Sequence, residues 1–246
     1  MEINDNYAWK ADGRDRKNNP LLPGNIRGLI VGNLLLQPDW LDYNHLYVFG
    51  KSLHQWEYKI LRKGLERGLS KEQISNIFQN QKDVKTDPVT LIETYINQGG
   101  VVSWKIKVNF YNDCSMIPDP TELNDHEKNL LVLDDCLLEK QTKAEAYYTR
   151  GRHNNCDTFY IAQNYFRLPR QTIRENKNLL ILFPQDAKNI AHIHADHCTD
   201  MDIMEFKEFC HIVWSKRYHF VTIDLSSTKF NGKYRENFDK FYFPTI

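Results

Sequence analysis

Leu130-Leu131-Val132-Leu133-Asp134-Asp135-Cys136 is four apolar residues running straight into two adjacent carboxylates. A strand buried on both faces reads as a continuous apolar run. In parallel α/β sheets, ligands sit beyond the carboxyl ends of such strands. The run therefore predicts a central strand over 130–133, with Asp134 and Asp135 standing at its exit. That is the shape of a Walker B segment, in which one acid holds Mg²⁺ and its neighbour orients water. A plain strand entering an acidic turn has the same sequence, so the surrounding segments have to separate the two readings. The usual companion of a Walker B strand, a G-x-x-x-x-G-K-[ST] loop, is not in the chain.

Downstream of this run, strands and helices alternate. Lys140–Arg152 has helical character, and Thr158–Ala162 reads as a strand ending at Gln163. Leu179–Phe183 is another strand candidate. Ala187–Ala195 and Asp202–Trp214 read as helices, and His219–Leu225 as the final strand. Upstream, Gly28–Gly32 and Leu46–Phe49 are short strand candidates. His54–Gly68 carries helical spacing in Tyr58, Leu61 and Leu65. Ser70-Lys71-Glu72-Gln73 is a capping-box pattern that opens a short helix with Ile74 and Ile77 facing inward. The alternation predicts an α/β fold with a three-layer, mostly parallel sheet. Residues 1–20 are polar and read as a disordered tail. Residues 21–246 read as a single domain, a size the 246-residue length accommodates.

Composition narrows the function classes. Lys plus Arg is 32 and Asp plus Glu is 32, so global charge gives no argument for nucleic acid. No apolar run reaches the length of a bilayer span, and the amino terminus lacks the apolar heart of a signal peptide. The five cysteines are odd in number and have no C-x-x-C spacing. They read as reduced thiols of a cytoplasmic or nuclear protein that is not secreted.

Several side chains are candidates for chemistry. Gln163 ends the strand expected beside Asp134 and Asp135, where an amide can sense a γ-phosphate or hold water. A solvated strand end is the bland alternative. Arg150 and Arg152 flank Gly151 near a helix end. They can stabilise phosphoryl charge across a subunit interface, or simply complement the helix dipole. Arg167, Arg170 and Arg174 form either a DNA path or a solvated basic face. His192, His194, His197 and Cys198 invite a zinc reading, but no C-x-x-C or H-E-x-x-H accompanies them, so zinc is disfavoured. Gly50-Lys51-Ser52 looks like the tail of a P-loop. The position five before Gly50 is His45 rather than glycine, so Lys51 is read as a strand end.

Taken in order, LIVG, NLLLQPDW, YVFGKSLHQ, LLVLDDC, YYTRGRHNN, DTFYIAQNYF, NLLILF and HIHADH…FVTIDL resemble the packaging ATPases of large DNA viruses and Polinton/Maverick elements. These belong to the FtsK/HerA group of P-loop ATPases. The resemblance runs from about Gly28 to Pro244. It implies a RecA/FtsK-like P-loop NTPase fold, ATP with Mg²⁺, and translocation of double-stranded DNA by a homo-oligomeric ring or capsid portal. It makes Asp134 the Mg²⁺-linked acid, Asp135 the water-activating acid, Gln163 the strand-end sensor and Arg150 or Arg152 the trans arginine. HIHADH becomes a segment of structural character.

The departure from the family is at Gly32. There the family continues into its glycine-rich loop and first helix, whereas here Asn33-Leu34-Leu35-Leu36 follows at once. Only Gly32 remains as a possible loop glycine, and the first P-loop helix is truncated. Without the amide nest and lysine, ATP loses most of its phosphate contacts, and turnover is expected to collapse. Three other readings stand beside this one: an active ATPase that recruits Lys51-Ser52, a non-enzymatic DNA-binding or ring-subunit remnant, and a loop lost from the gene model.

Overall fold

The computed structural model describes residues 27–29, 35–36, 40–80, 87–100 and 106–244. The polar tail, Gly32 and the Gly32–Asn33 junction lie outside these residues. Two compact units are present, one within Val31–Ile161 and the other combining the stretch before Val31 with Ala162–Ile246.

The first unit is built on four parallel strands: β2 (His45–Gly50), β3 (Lys107–Tyr111), β4 (Asn129–Asp134) and β5 (Cys156–Ile161). β2 pairs with β3 on one side and β4 on the other, and β4 pairs with β5. β4 therefore has a parallel neighbour on each side, which is why its sequence is apolar without alternation. Leu130, Leu131, Val132 and Leu133 are all fully buried. Among the described residues, three helices join β2 to β3: α1 (Trp56–Glu66), α2 (Lys71–Asn80) and α3 (Pro88–Asn97). α1 packs against both β3 and α3. Gly64 sits where it meets Ile74 of α2, and a Cβ there would lie 2.7 Å from the Ile74 side chain. α4 (Thr142–Arg150) carries the chain from the exit of β4 back to the entrance of β5.

The capping box forms as its spacing predicts. The Ser70 N–H donates to Gln73 Oε1 at 2.8 Å, and the Gln73 N–H donates to Ser70 Oγ at 3.2 Å. Two otherwise unpartnered amides are satisfied by this one exchange. Ile74 and Ile77 are buried, as expected.

In the second unit, β1 (Arg27–Leu29) runs parallel to β6 (Leu179–Leu182). An antiparallel series then follows: β7 (Val221–Asp224), β8 (Tyr234–Glu236) and β9 (Lys240–Tyr242). α5 (Ala187–His197) and α6 (Ile203–Trp214) lie between β6 and β7. The strand expected over 219–225 is β7, but it is not the last. β8 was hidden by its charges: Arg235 and Glu236 are both fully buried. The Arg235 guanidinium donates to Asp224 Oδ2 at 2.6 Å, and Glu236 accepts from Lys216 at 2.8 Å and from His219 at 2.6 Å. Buried charge of this kind is tolerated only when paired, and pairing is invisible in a hydropathy pattern.

Candidate functional site

The first unit gathers its chemistry at the carboxyl end of its strands. Asp134 is the last residue of β4, level with Gly50 at the end of β2 and Ile161 at the end of β5. Gly50 is dictated by this geometry. A Cβ there would meet the Asp134 carbonyl oxygen at 2.8 Å and its Cβ at 3.1 Å. The glycine of Gly50-Lys51-Ser52 thus serves close approach between two strand ends. Lys51 turns away and pairs with Glu139 at 2.8 Å. That placement agrees with reading Lys51 as a strand end.

Asp134 has a partner that the sequence did not reveal. Tyr58 of α1 donates its phenol to Asp134 Oδ2 at 2.7 Å. Burial holds the Asp134 carboxyl above the usual carboxylate range; the bond from Tyr58 pulls it down, and the neighbouring Asp135 charge pushes it further up. Burial, with the same contact adding to it, drives the Tyr58 phenol upward. Tyr58 sits edge-on to Phe110 of β3, with ring centroids 6.4 Å apart. Its helical spacing marked it only as an inward residue.

Asp135 is exposed, and its backbone is left-handed, with φ at 51°. Its N–H donates to the Ile161 carbonyl at 3.1 Å, so the chain reverses direction while remaining tied to β5. The two carboxylates thus differ: one is half-buried and hydrogen-bonded, the other open to water. Gln141 braces the turn behind them. Its amide donates to the carbonyls of Cys136 at 2.6 Å and Glu139 at 2.8 Å, and its oxygen accepts from Tyr160 of β5 at 3.0 Å.

The Cys136 thiol lies within reach of the Phe49 and Asp134 carbonyls, at 3.6 and 3.4 Å. The neighbouring Cys136 thiol holds the thiol of Cys114, in the 3₁₀ turn Cys114–Met116 that follows β3, below its ordinary range. On the same rim, a cleft of about 190 Å³ is lined by Leu53, His54, Lys59, Arg62, Phe110 and Asn112.

Arg150 and Arg152 lie elsewhere. Arg150 closes α4, and Arg152 sits in the 3₁₀ turn Gly151–Asn154 that leads directly into β5. This is the amino end of the strands, where the Asn129 N–H meets the Asn155 carbonyl at 2.9 Å. Both arginines are exposed. The Arg150 guanidinium is 3.7 Å from Asp119, and Arg152 donates to His153 at 3.5 Å. Neither shares an end of the sheet with Asp134 and Asp135 in its own chain. Gln163 is exposed just past β5 and belongs to the second unit. Gly32 lies outside the described residues.

The histidine segment occupies α5, and its members point to different partners. His192 stacks on Phe166, with centroids 4.3 Å apart. His194 Nε2 contacts the Met201 carbonyl at 2.8 Å. His197 Nε2 lies 2.7 Å from the Tyr165 hydroxyl and 2.5 Å from Lys177 Nζ. Among the described residues, no group of three or more His, Cys, Asp or Glu side chains is placed to hold a metal ion. The donor set suited to Mg²⁺ is the acid pair, since that ion takes one or two carboxylates and completes its shell with water and phosphate oxygens. Oδ1 of Asp134 and the open Asp135 carboxylate fit that description.

Fold and site together define an α/β protein with an acid pair at the carboxyl end of a parallel sheet. No family model matches the chain, and no curated protein does. Among solved structures, the chain is similar to the genome packaging NTPase B204 from Sulfolobus turreted icosahedral virus 2. In complex with sulfate that protein is 12% identical with a TM-score of 0.41, over 83% of this chain and 98% of that one. In complex with AMP the identity is 12% and the TM-score 0.39, over the same shares. The DNA-packaging ATPase B204 from Sulfolobus turreted icosahedral virus gives 14% and 0.40, over 82% of this chain and 98% of that one.

Proposed function

We propose that this chain is a packaging-ATPase-like protein whose metal-binding half is kept and whose ATP turnover is curtailed. The observation that carries the reading is the placement of Asp134 and Asp135. They leave a buried strand at the carboxyl end of four parallel strands, one half-buried and one open to water. The order of segments along the chain supports the same class. In this reading Asp134, one of whose oxygens accepts from Tyr58, would hold Mg²⁺. Mg²⁺ would supply neutralisation of charge on the phosphates of ATP. Asp135, facing solvent, orients a water molecule and accepts its proton. Gln163 senses the terminal phosphate, and Gly32 offers its backbone to the phosphate chain.

Arg150 or Arg152 would act from a neighbouring subunit. Their position at the opposite end of the strands from the acids leaves them no such role within their own chain. That requirement fits a homo-oligomeric ring or capsid portal acting on double-stranded DNA in the cytoplasm or nucleus. Among the described residues no helix is long and apolar enough to cross a membrane.

Curtailed turnover rests on two features. The chain has no glycine-rich phosphate loop. The lysine of its only partial match, Lys51, forms a surface ion pair with Glu139. A second reading, a non-enzymatic ring or DNA-binding subunit, is favoured by the Tyr58–Asp134 bond. That bond occupies one oxygen of the Mg²⁺ acid, and burial favours the protonated form.

Purified protein assayed with Mg²⁺ and ATP should hydrolyse at background rate, with Asp135→Asn unchanged. Turnover that Asp135→Asn abolishes would overturn the curtailed reading and restore an active ATPase. In parallel, the protein should bind duplex DNA with salt-dependent affinity and sediment as an oligomer. A monomer without DNA affinity would remove the packaging reading altogether. Salt-dependent DNA binding with no response to Mg²⁺ and ATP would select the non-enzymatic subunit.

A further inference from the structure

We propose that the cleft beside the end of β3 is a binding site for a phosphoryl dianion, either inorganic phosphate or the phosphate end of a monoester. Its walls come from α1, β3 and the connections next to them. Lys59 and Arg62 are three residues apart on α1 and therefore share one helix face. Phe110 belongs to β3, and Asn112 follows that strand's last residue, Tyr111. Leu53 and His54, just ahead of α1, complete the lining. All of these residues lie in the first unit. The cleft volume of about 190 Å³ is below the roughly 300–1,000 Å³ of sites that enclose drug-sized ligands. A small anion, or the charged end of a larger molecule, matches that size.

The polar groups of the lining are all hydrogen-bond donors, and no carboxylate is among them. The side chains of His54, Lys59 and Asn112 have no partner among the described residues, so each is available to a ligand. Arg62 is held in place on one edge only. Its Nε donates to Glu66 at 2.8 Å, and its guanidinium lies over the Phe110 ring, 5.9 Å from the centroid. Both terminal amino groups of the fork stay open among the described residues. Phe110 is itself braced by Tyr58, edge-on with centroids 6.4 Å apart.

The donor set selects among anions. A guanidinium fork, an ammonium, an imidazole N–H and a carboxamide stand on three different segments. A phosphate monoester presents three terminal oxygens and a charge of about −1.5 to −2 at neutral pH, so it can engage donors on several sides at once. A carboxylate offers two oxygens in one plane, and a phosphodiester carries a single charge. The Phe110 ring adds an apolar surface for the group that bears the ester. The inference does not rest on the packaging reading, since neither Asp134 nor Asp135 lines the cleft.

The full-length chain in Mg²⁺-free buffer should bind inorganic phosphate, read by isothermal titration calorimetry, with adenosine monophosphate as a second probe. Lys59→Ala and Arg62→Ala should each weaken binding by about tenfold or more, the usual loss for a hydrogen bond to a charged group. Both side chains are exposed, so both variants should keep the wild-type circular dichroism spectrum. Glu66→Gln releases the Arg62 Nε and should bind at least as tightly as the wild type. Asp135→Asn should bind like the wild type, which separates this site from the acid pair. Phosphate bound as tightly as adenosine monophosphate identifies the free anion; tighter binding of adenosine monophosphate identifies a monoester. A DNA duplex without terminal phosphates should displace neither probe, and displacement would overturn the dianion assignment. No phosphate binding by the wild type would also overturn the proposal, as would weaker binding in Glu66→Gln or binding that survives the loss of Lys59 and Arg62 together.

Discussion

Gly50 shows how one position can carry two readings. In the sequence it heads Gly50-Lys51-Ser52 and imitates a phosphate loop; in the structure it is the contact that lets β2 end against β4. Its closest neighbour is a backbone oxygen, which cannot rotate away. Gly50→Ala should therefore destabilise the protein by about 1–3 kcal/mol, the usual cost of forcing a methyl into filled space. Urea denaturation monitored by circular dichroism measures this, and an unchanged midpoint would show that the strand ends separate freely. Lys51→Ala is expected to cost little, since its ion pair is exposed. The placement of Asp134 and Asp135 at the exit of a buried strand was legible because four apolar residues without alternation precede them; their chemistry was not, since a plain strand entering an acidic turn reads the same. The partner role of Tyr58 was not legible, because it depends on where α1 comes back to the sheet. No local pattern records that return.

At the scale of elements, legibility tracks the physical signal each element needs. β2, β4 and α2 carry theirs locally, as apolar runs or as a cap. Ser70 and Gln73 exchange two hydrogen bonds. Ser70→Ala should cost about 0.5–2 kcal/mol of stability and fray the first turn of α2. Faster amide exchange at Gln73 would report the fraying, and unchanged exchange would show that the cap contributes nothing. β8 lacks such a signal. It is three residues long, and Arg235 and Glu236 are buried by virtue of Asp224, Lys216 and His219. Its burial is set by partners that come from other segments. β4 and β5 were found for the converse reason: each is nearly all apolar or uncharged along its length.

Across the whole molecule, one buried network sets how stability responds to pH. Lys177 and His197 lie 2.5 Å apart, with Tyr165, Asp196 and Arg174 around them. Burial pulls Lys177 down to about 7 and His197 down to about 4. Both folded values are below those of the unfolded chain, so unfolding takes up protons. Stability should therefore rise with pH from about 4 to 6.5 through His197, and above 7 through Lys177. The Lys177 slope approaches about 1.4 kcal/mol per pH unit, the one-proton limit. Above about 9 the buried thiols Cys198 and Cys210, pushed upward by burial, begin to oppose the gain. Thermal melts from pH 7 to 9 should show a rising midpoint in the wild type and a flatter line in Lys177→Met. Equal slopes would show that Lys177 stays charged in the fold.

Asp135 holds a left-handed backbone, a conformation that asparagine, aspartate and glycine enter most readily. The fold asks for one of these residues, not for a carboxylate. Asparagine and glycine are each a single-base change from an aspartate codon, so the negative charge can be lost by drift without disturbing the turn. The carboxylate at this position is therefore not something the turn itself requires.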